Sequence, residues 1–104
     1  MLFTNANLFV DGRFQRGAFR VENGRFAEIL ADTAGDGIDL RWQYVIPGLV
    51  DIHNHGNSGE DFSDGNYDGL VKMAAYLAAN GVTSFAPASM TLPYDVLETA
   101  YKTA

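Results

Sequence analysis

Two histidines, His53 and His55, are the only imidazoles in this chain of 104 residues, and they stand two positions apart with Gly56 directly behind them. In an extended backbone, residues i and i+2 project from the same side, so both rings can converge on one point. A borderline divalent cation such as Zn²⁺ takes imidazole nitrogen at roughly 2.1 Å, and a His-x-His pair offers it two donors from one strand. The same spacing also occurs in exposed turns and among histidines satisfied by the fold, so the pair takes its meaning from its setting. Asp51 lies two residues before His53 and shares its side of the strand. It is a candidate acceptor for orienting an imidazole, and equally a candidate for a purely structural pairing. Glu60, Asp61 and Asp64 carry carboxylates in the following loop, where solvation or helix capping is the commoner role, so they are left outside the site. Cysteine is absent, which excludes disulfides, thiolate nucleophiles and sulfur-ligated metals by inventory.

The setting begins with the apolar run Val45-Ile46-Pro47-Gly48-Leu49-Val50-Asp51-Ile52. Such a run is expected of a strand buried on both faces of a parallel sheet, with Pro47 near its start, where a missing N–H is tolerated. The histidines then fall at the strand's C-terminal end, where α/β barrels build their sites. Gly56 and Gly59 allow the next loop to turn sharply and to approach a ligand closely. Beyond it, Tyr67, Leu70, Val71, Ala74, Leu77 and Ala78 recur at helical spacing, with Asp64 and Asn66 as capping candidates and Asn80-Gly81 as the stop. Val82 to Ala86 reads as a short strand. A second helix opens near Thr91 and Pro93, with Val96, Leu97, Ala100, Tyr101 and Ala104 on its apolar stripe.

Residues 1 to about 45 have a different grain. Short alternating runs, Phe3 to Val10, Arg13 to Glu22 and Arg25 to Leu30, are separated by Asp11-Gly12 and Asn23-Gly24, dipeptides that readily take positive φ in hairpin turns. The expectation is antiparallel β structure, with Phe9, Phe14, Phe19, Val21, Phe26 and Ile29 available for one buried face. Asp32 to Gly37 reads as a polar loop, after which Ile38, Leu40 and Trp42 return the chain to the sheet. The fold class is thus α/β: a small antiparallel β domain over residues 1–45, then, over 46–104, the first two βα units of a (β/α)₈ TIM-like barrel, which needs about 250 residues in all. The chain is expected to stop before its barrel does.

Composition narrows the function further. Hydrophobic residues make up 47% and charged residues 19%, enough apolar material for a modest core. The net charge of −6 speaks against a grip on nucleic-acid phosphates, and Arg13, Arg16, Arg20 and Arg25 sit in a strand-like segment where a solvated sheet face explains them. No apolar stretch approaches the roughly 20 residues of a membrane span, and no secretory leader pattern opens the chain. A soluble cytoplasmic protein, with no membrane or nucleic-acid partner, is the expectation.

The run Val45-Ile46-Pro47-Gly48-Leu49-Val50-Asp51-Ile52-His53-Asn54-His55-Gly56 resembles the first barrel strand of the amidohydrolase superfamily, an apolar Pro-Gly strand ending in His-x-His. The hairpin around Asn23-Gly24 and Phe26 to Leu30 resembles the small β domain that precedes the barrel there. Within the superfamily, Gly56 to Gly65 and the block Asn80-Gly81-Val82-Thr83-Ser84-Phe85-Ala86-Pro87-Ala88-Ser89-Met90-Thr91 look like the N-acetylglucosamine-6-phosphate deacetylase family. The resemblance implies hydrolysis of the acetamide of N-acetylglucosamine 6-phosphate, a small amino-sugar phosphate, to glucosamine 6-phosphate and acetate. It implies one or two divalent metals per site, zinc or else iron, manganese or cobalt, with His53 and His55 as ligands. Some members replace the pair and use a single metal, so His53 and His55 would hold the second ion. The remaining ligands and the proton-shuttling aspartate are expected beyond Ala104, which leaves no catalytic residue within this chain and little turnover by it alone. The longer parent is expected to be a homodimer, and the chain by itself to self-associate through its unfinished sheet. The rival readings are a dihydroorotase-like or deaminase-like amidohydrolase, and a fragment or binding module without catalysis.

Overall fold

The computed structural model describes residues 1–31 and 35–104, so residues 32–34 of the expected Asp32–Gly37 loop lie outside the described residues. The chain divides between Pro47 and Gly48 into two compact units.

The first unit is a sheet built around two hairpins. Strands β1 (Leu2–Val10), β2 (Arg13–Glu22) and β3 (Arg25–Leu30) run antiparallel in the order β3-β2-β1. The connecting pairs have positive φ at both residues, 50° and 77° at Asp11-Gly12 and 51° and 72° at Asn23-Gly24. That backbone matches the right-handed twist of the flanking strands. The free side of β1 is taken by two short strands, β4 (Ile38–Asp39) and β5 (Tyr44–Val45), both parallel to β1. The expectation of an antiparallel domain is therefore corrected at its last third: the sheet is mixed. The Ile38-Leu40-Trp42 alternation does not run through as one strand, because Arg41 and Trp42 both take positive φ. The Trp42 and Asn7 amides still reach across, to the carbonyls of Asn5 and Gln43.

The core of this sheet is Ala6, Leu8 and Phe19, with Phe3, Val10, Val21, Leu40 and Val45 packed against it. Phe3 joins Ala6 on one face because the β1–β2 register shifts between them, at Asn5, whose φ is 52°. One extra residue reverses the side-chain alternation. Phe3 then stacks on Phe19, ring centroids 4.7 Å apart. Of the aromatic and branched residues expected on one buried face, Phe19 is buried and Val21 half-buried, whereas Phe9, Phe14, Phe26 and Ile29 are exposed. Phe9 has the opposite parity to Leu8, and it meets Phe14, which meets Tyr44, on the open side. The arginines are solvent-facing as expected: Arg16 lies over the Trp42 ring and Arg20 faces Glu28.

The second unit contains β6 (Leu49–Asn54), a two-residue hairpin of β7 (Gly56–Asn57) and β8 (Glu60–Asp61), a short 3₁₀ turn at Phe62–Asp64, α1 (Tyr67–Ala79), β9 (Val82–Pro87) and α2 (Tyr94–Thr103). Strands β6 and β9 pair in parallel. The run read as one strand from Val45 to Ile52 is split: Val45 belongs to the first sheet, and β6 starts only at Leu49, after Pro47, which has no N–H to give a ladder. Gly48 is required there because a Cβ on it would fall 2.0 Å from the Thr83 hydroxyl. Burial of β6 on both faces is also corrected. Val50 is 66% and Ile52 81% exposed, since β9 is the one strand paired with β6 among the described residues.

Helix α1 starts where its cap requires: the Asn66 side chain accepts from the Asp68 amide at 3.1 Å. It ends at Asn80, followed by Gly81 with φ of 83°. Its buried residues are Gly69, Met73 and Leu77. The sequence stripe included Leu77 but missed Met73, which is fully buried against Phe62 and Ala100, with Leu70 and Phe85 alongside. Tyr67 and Val71 of that stripe are exposed. Helix α2 closes the cluster through Ala100 and through Tyr101, whose ring meets Phe62 edge-on at 5.4 Å. No helix among the described residues is long and apolar enough to cross a membrane. Met73→Ala should cost about 2–5 kcal/mol, the usual loss for emptying a buried methionine site, read as a lowered urea midpoint at unchanged slope.

Candidate metal centre

His53 lies near the C-terminal end of strand β6 and His55 one residue past it, beyond an irregularity in the ladder between Asp51 and Asn54. The two imidazoles converge as their spacing predicts. Their Nε2 atoms are 2.9 Å apart and their ring centroids 4.6 Å apart, with the planes at 84°. Two nitrogens held by one cation at ~2.1 Å each would be roughly 3.0 Å apart at a right-angle geometry and roughly 3.4 Å apart at a tetrahedral one. The observed separation fits two neighbouring positions of one coordination sphere.

The far side of His55 is fixed by the backbone. Its Nδ1 is 2.8 Å from the carbonyl oxygen of Ala88. A carbonyl only accepts, so Nδ1 carries the proton, and in the neutral ring Nε2 is left with a free lone pair. This is the arrangement by which a metal-binding imidazole is commonly oriented, its second nitrogen donating to an oxygen. His53 is exposed and His55 half-buried, so the shared edge of the pair is open to an entering ion.

Asp51 does not touch either ring. Its carboxylate accepts the His53 main-chain N–H at 3.1 Å and the Asn54 side-chain amide at 2.8 Å. Those bonds, first the Asn54 amide and then the His53 N–H, hold its carboxyl below the usual carboxylate range. The direct contact to an imidazole considered for Asp51 is made, for His55, by the Ala88 carbonyl. Ala88 was missed because main-chain carbonyls leave no mark in residue types; its signal was positional, since it follows β9 at the level where the parallel neighbour β6 ends.

Two of the loop carboxylates are engaged away from the histidines. Asp61 caps the 3₁₀ turn through the Ser63 amide at 2.7 Å, and Glu60 pairs with Lys72 at 2.8 Å. Asp64 is exposed. Among the described residues, no set of three or more His, Cys, Asp or Glu side chains gathers to hold an ion, so the centre as it stands is the two imidazoles. The hairpin behind them is set by its glycines. Ser58-Gly59 turn with φ of 55° and 79°. Gly56 lies so close to the opposite strand that a Cβ would fall 2.3 Å from the Glu60 carbonyl oxygen, so this glycine serves a close approach of backbone to backbone. Phe62 then donates its N–H to the His55 carbonyl at 2.8 Å, tying the loop back to the centre. Gly56→Ala should destabilise the second unit by about 1–3 kcal/mol through overpacking, detectable as early-melting amide resonances of residues 56–62.

Comparisons with known proteins all find deacetylases of N-acetylated amino-sugar 6-phosphates. The N-acetylglucosamine-6-phosphate deacetylase of Vibrio furnissii is 35% identical over 82 residues, 76% of this chain and 21% of that protein. The human enzyme of the same name is 29% identical over 103 residues, 90% of this chain and 25% of its own length. An N-acetylgalactosamine-6-phosphate deacetylase of Escherichia coli O157:H7 is 35% identical over 60 residues, 58% of this chain and 16% of its own. Among solved structures, the Pasteurella multocida N-acetylglucosamine-6-phosphate deacetylase superposes with a TM-score of 0.88 at 25% identity, over 98% of this chain and 28% of that one. A Mycobacterium smegmatis mutant enzyme, solved with N-acetyl-D-glucosamine 6-phosphate, gives 0.88 at 26% identity over 99% of this chain and 28% of its own. No family model matches the chain. The chain spans about a quarter of the length of the relatives it matches.

Proposed function

We propose, for a chain that belongs to the N-acetylglucosamine-6-phosphate deacetylase family, that it supplies two metal ligands, His53 and His55, to an enzyme removing the acetyl group from N-acetylglucosamine 6-phosphate. The observation that carries the reading is the convergence of the two Nε2 atoms at 2.9 Å, at the C-terminal end of a parallel strand. The likeness to deacetylases over nearly the whole chain supports the substrate class. A divalent cation held there would polarise the amide carbonyl and acidify a water for attack on it. Zinc and iron suit two imidazoles, while manganese or cobalt would lean on oxygen donors from elsewhere.

The role of this chain's own residues is narrower than the reaction. His53 and His55 donate lone pairs, Ala88 fixes the ring of His55, and the loop that follows is tied back to the His55 carbonyl by the Phe62 N–H. The parallel pair β6–β9, each strand followed in sequence by a helix, is the repeating unit of a (β/α)₈ barrel, and the exposed β6 faces are those such a barrel would cover. The remaining ligands and the group that passes a proton to the leaving amine would come from parts of the longer relatives that this chain does not span. A two-imidazole centre leaves most of the coordination sphere to water, so the chain by itself should release little or no acetate.

Zinc titration of the chain should shift the His53 and His55 imidazole resonances together, and His53→Ala or His55→Ala should weaken binding about tenfold or more. Binding unaffected by either substitution would make the pair structural. In a full-length protein carrying this chain, acetate release measured side by side on the 6-phosphates of N-acetylglucosamine and N-acetylgalactosamine would settle the sugar, with the glucosamine form expected to be faster. A separate expectation concerns association: with Val50 and Ile52 exposed on β6, sedimentation of the chain should show concentration-dependent self-association, and a monodisperse monomer would contradict it.

A further inference from the structure

We propose that Asp51 is a positioning residue for the histidine pair, acting through Asn54 and Ala88 rather than on either ring; this rests on reading the pair as a metal-donor set. The reason lies in the strand ladder. β6 and β9 are in register at Asp51↔Phe85 and again at Asn54↔Pro87, but the pairing is irregular between those points, where His53 sits. A ladder that lapses there does not by itself fix the direction of the His53 side chain.

Asp51 spans the gap. One carboxylate oxygen takes the His53 N–H at 3.1 Å and the other takes the Asn54 side-chain amide at 2.8 Å, charge-assisted bonds stronger than neutral ones. Asn54 and Ala88 then complete the brace. The Ala88 N–H donates to the Asn54 main-chain carbonyl at 2.9 Å, and the Ala88 carbonyl receives the Nδ1–H of His55 at 2.8 Å. From Asp51 to His55 Nδ1, every link is a hydrogen bond or a peptide unit, and both imidazoles hang from it. The side-chain oxygen of Asn54 is buried and has no partner among the described residues, so Asp51 is the group that orients this amide.

That unpaired oxygen also sets the test. In Asp51→Asn the new side-chain oxygen can still accept the His53 N–H, while its NH₂ can donate to the Asn54 oxygen once that amide turns over. In Asp51→Ala both acceptors are gone. The metal-free wild-type chain should show His55 as a single Nδ1–H tautomer in long-range ¹H–¹⁵N spectra. Asp51→Ala should average the His55 tautomers while the amide dispersion of β9 and α1 persists, and should weaken Zn²⁺ binding about tenfold. Asp51→Asn should restore the single tautomer and bind within a few-fold of wild type. A folded Asp51→Ala chain with wild-type Zn²⁺ affinity and one His55 tautomer would overturn the brace, as would wild-type His55 protonated on Nε2, or a folded Asp51→Asn chain no better than Asp51→Ala. If Asp51→Ala does not fold, the wild-type tautomer and Asp51→Asn decide alone. Failure of the metal reading is separate: it appears as Zn²⁺ binding indifferent to His53→Ala, while the tautomer is read without any metal.

Discussion

The parallel pairing of β6 with β9 is the constraint on which the candidate centre depends. Parallel pairing in this register brings the C-terminal ends of β6 and β9 side by side, so Asn54 meets Pro87 and Ala88. In that register the Ala88 carbonyl lies where the Nδ1 of His55 reaches it. A shift of one residue would turn the opposite face of β6 toward the site and carry both imidazoles with it. The spacing of the histidines makes convergence possible; the neighbouring strand makes it specific.

Two separate hydrophobic clusters hold the scaffold, one in each unit. In the second, Met73 from α1, Phe62 from the 3₁₀ turn and Ala100 from α2 share one small core, so both helices and the loop behind the histidines are pinned by the same contacts. The first cluster depends on a single irregularity, the positive φ of Asn5, which brings Phe3 onto the side of Ala6 and Leu8. Both units leave large apolar side chains in solvent, Phe26 and Tyr44 in one and Ile52 and Tyr94 in the other. Each such side chain is a contact available to further protein.

Much of this was legible in the sequence wherever a local rule governs. The Asp11-Gly12 and Asn23-Gly24 turns follow from which residues accept positive φ, and the first helix follows from its cap at Asn66 and stop at Gly81. The convergence of His53 and His55 is what their two-residue spacing allows. What escaped depends on partners distant in sequence. The parallel attachment of β4 and β5 to β1 is a choice of edge, which alternation does not encode. The bulge at Asn5, which brings Phe3 to the side of Ala6, shows only once the strands are paired, and Phe3 was left out of the expected core. Met73 was overlooked on α1 because the apolar residues around that helix outnumber its buried positions, and only the place of Phe62 and Ala100 selects among them. Ala88 was invisible for a stricter reason: its contribution is a carbonyl that every residue owns.

That last feature bears on how such a centre can change over evolutionary time. The group that orients His55 belongs to the main chain, so the identity of residue 88 is free to drift without altering the bond it makes. Proline is the exception, since it would lose the N–H that the Asn54 carbonyl receives. A search for related centres guided by invariant side chains would therefore pass over this position, while one guided by where the adjacent strand ends would find it.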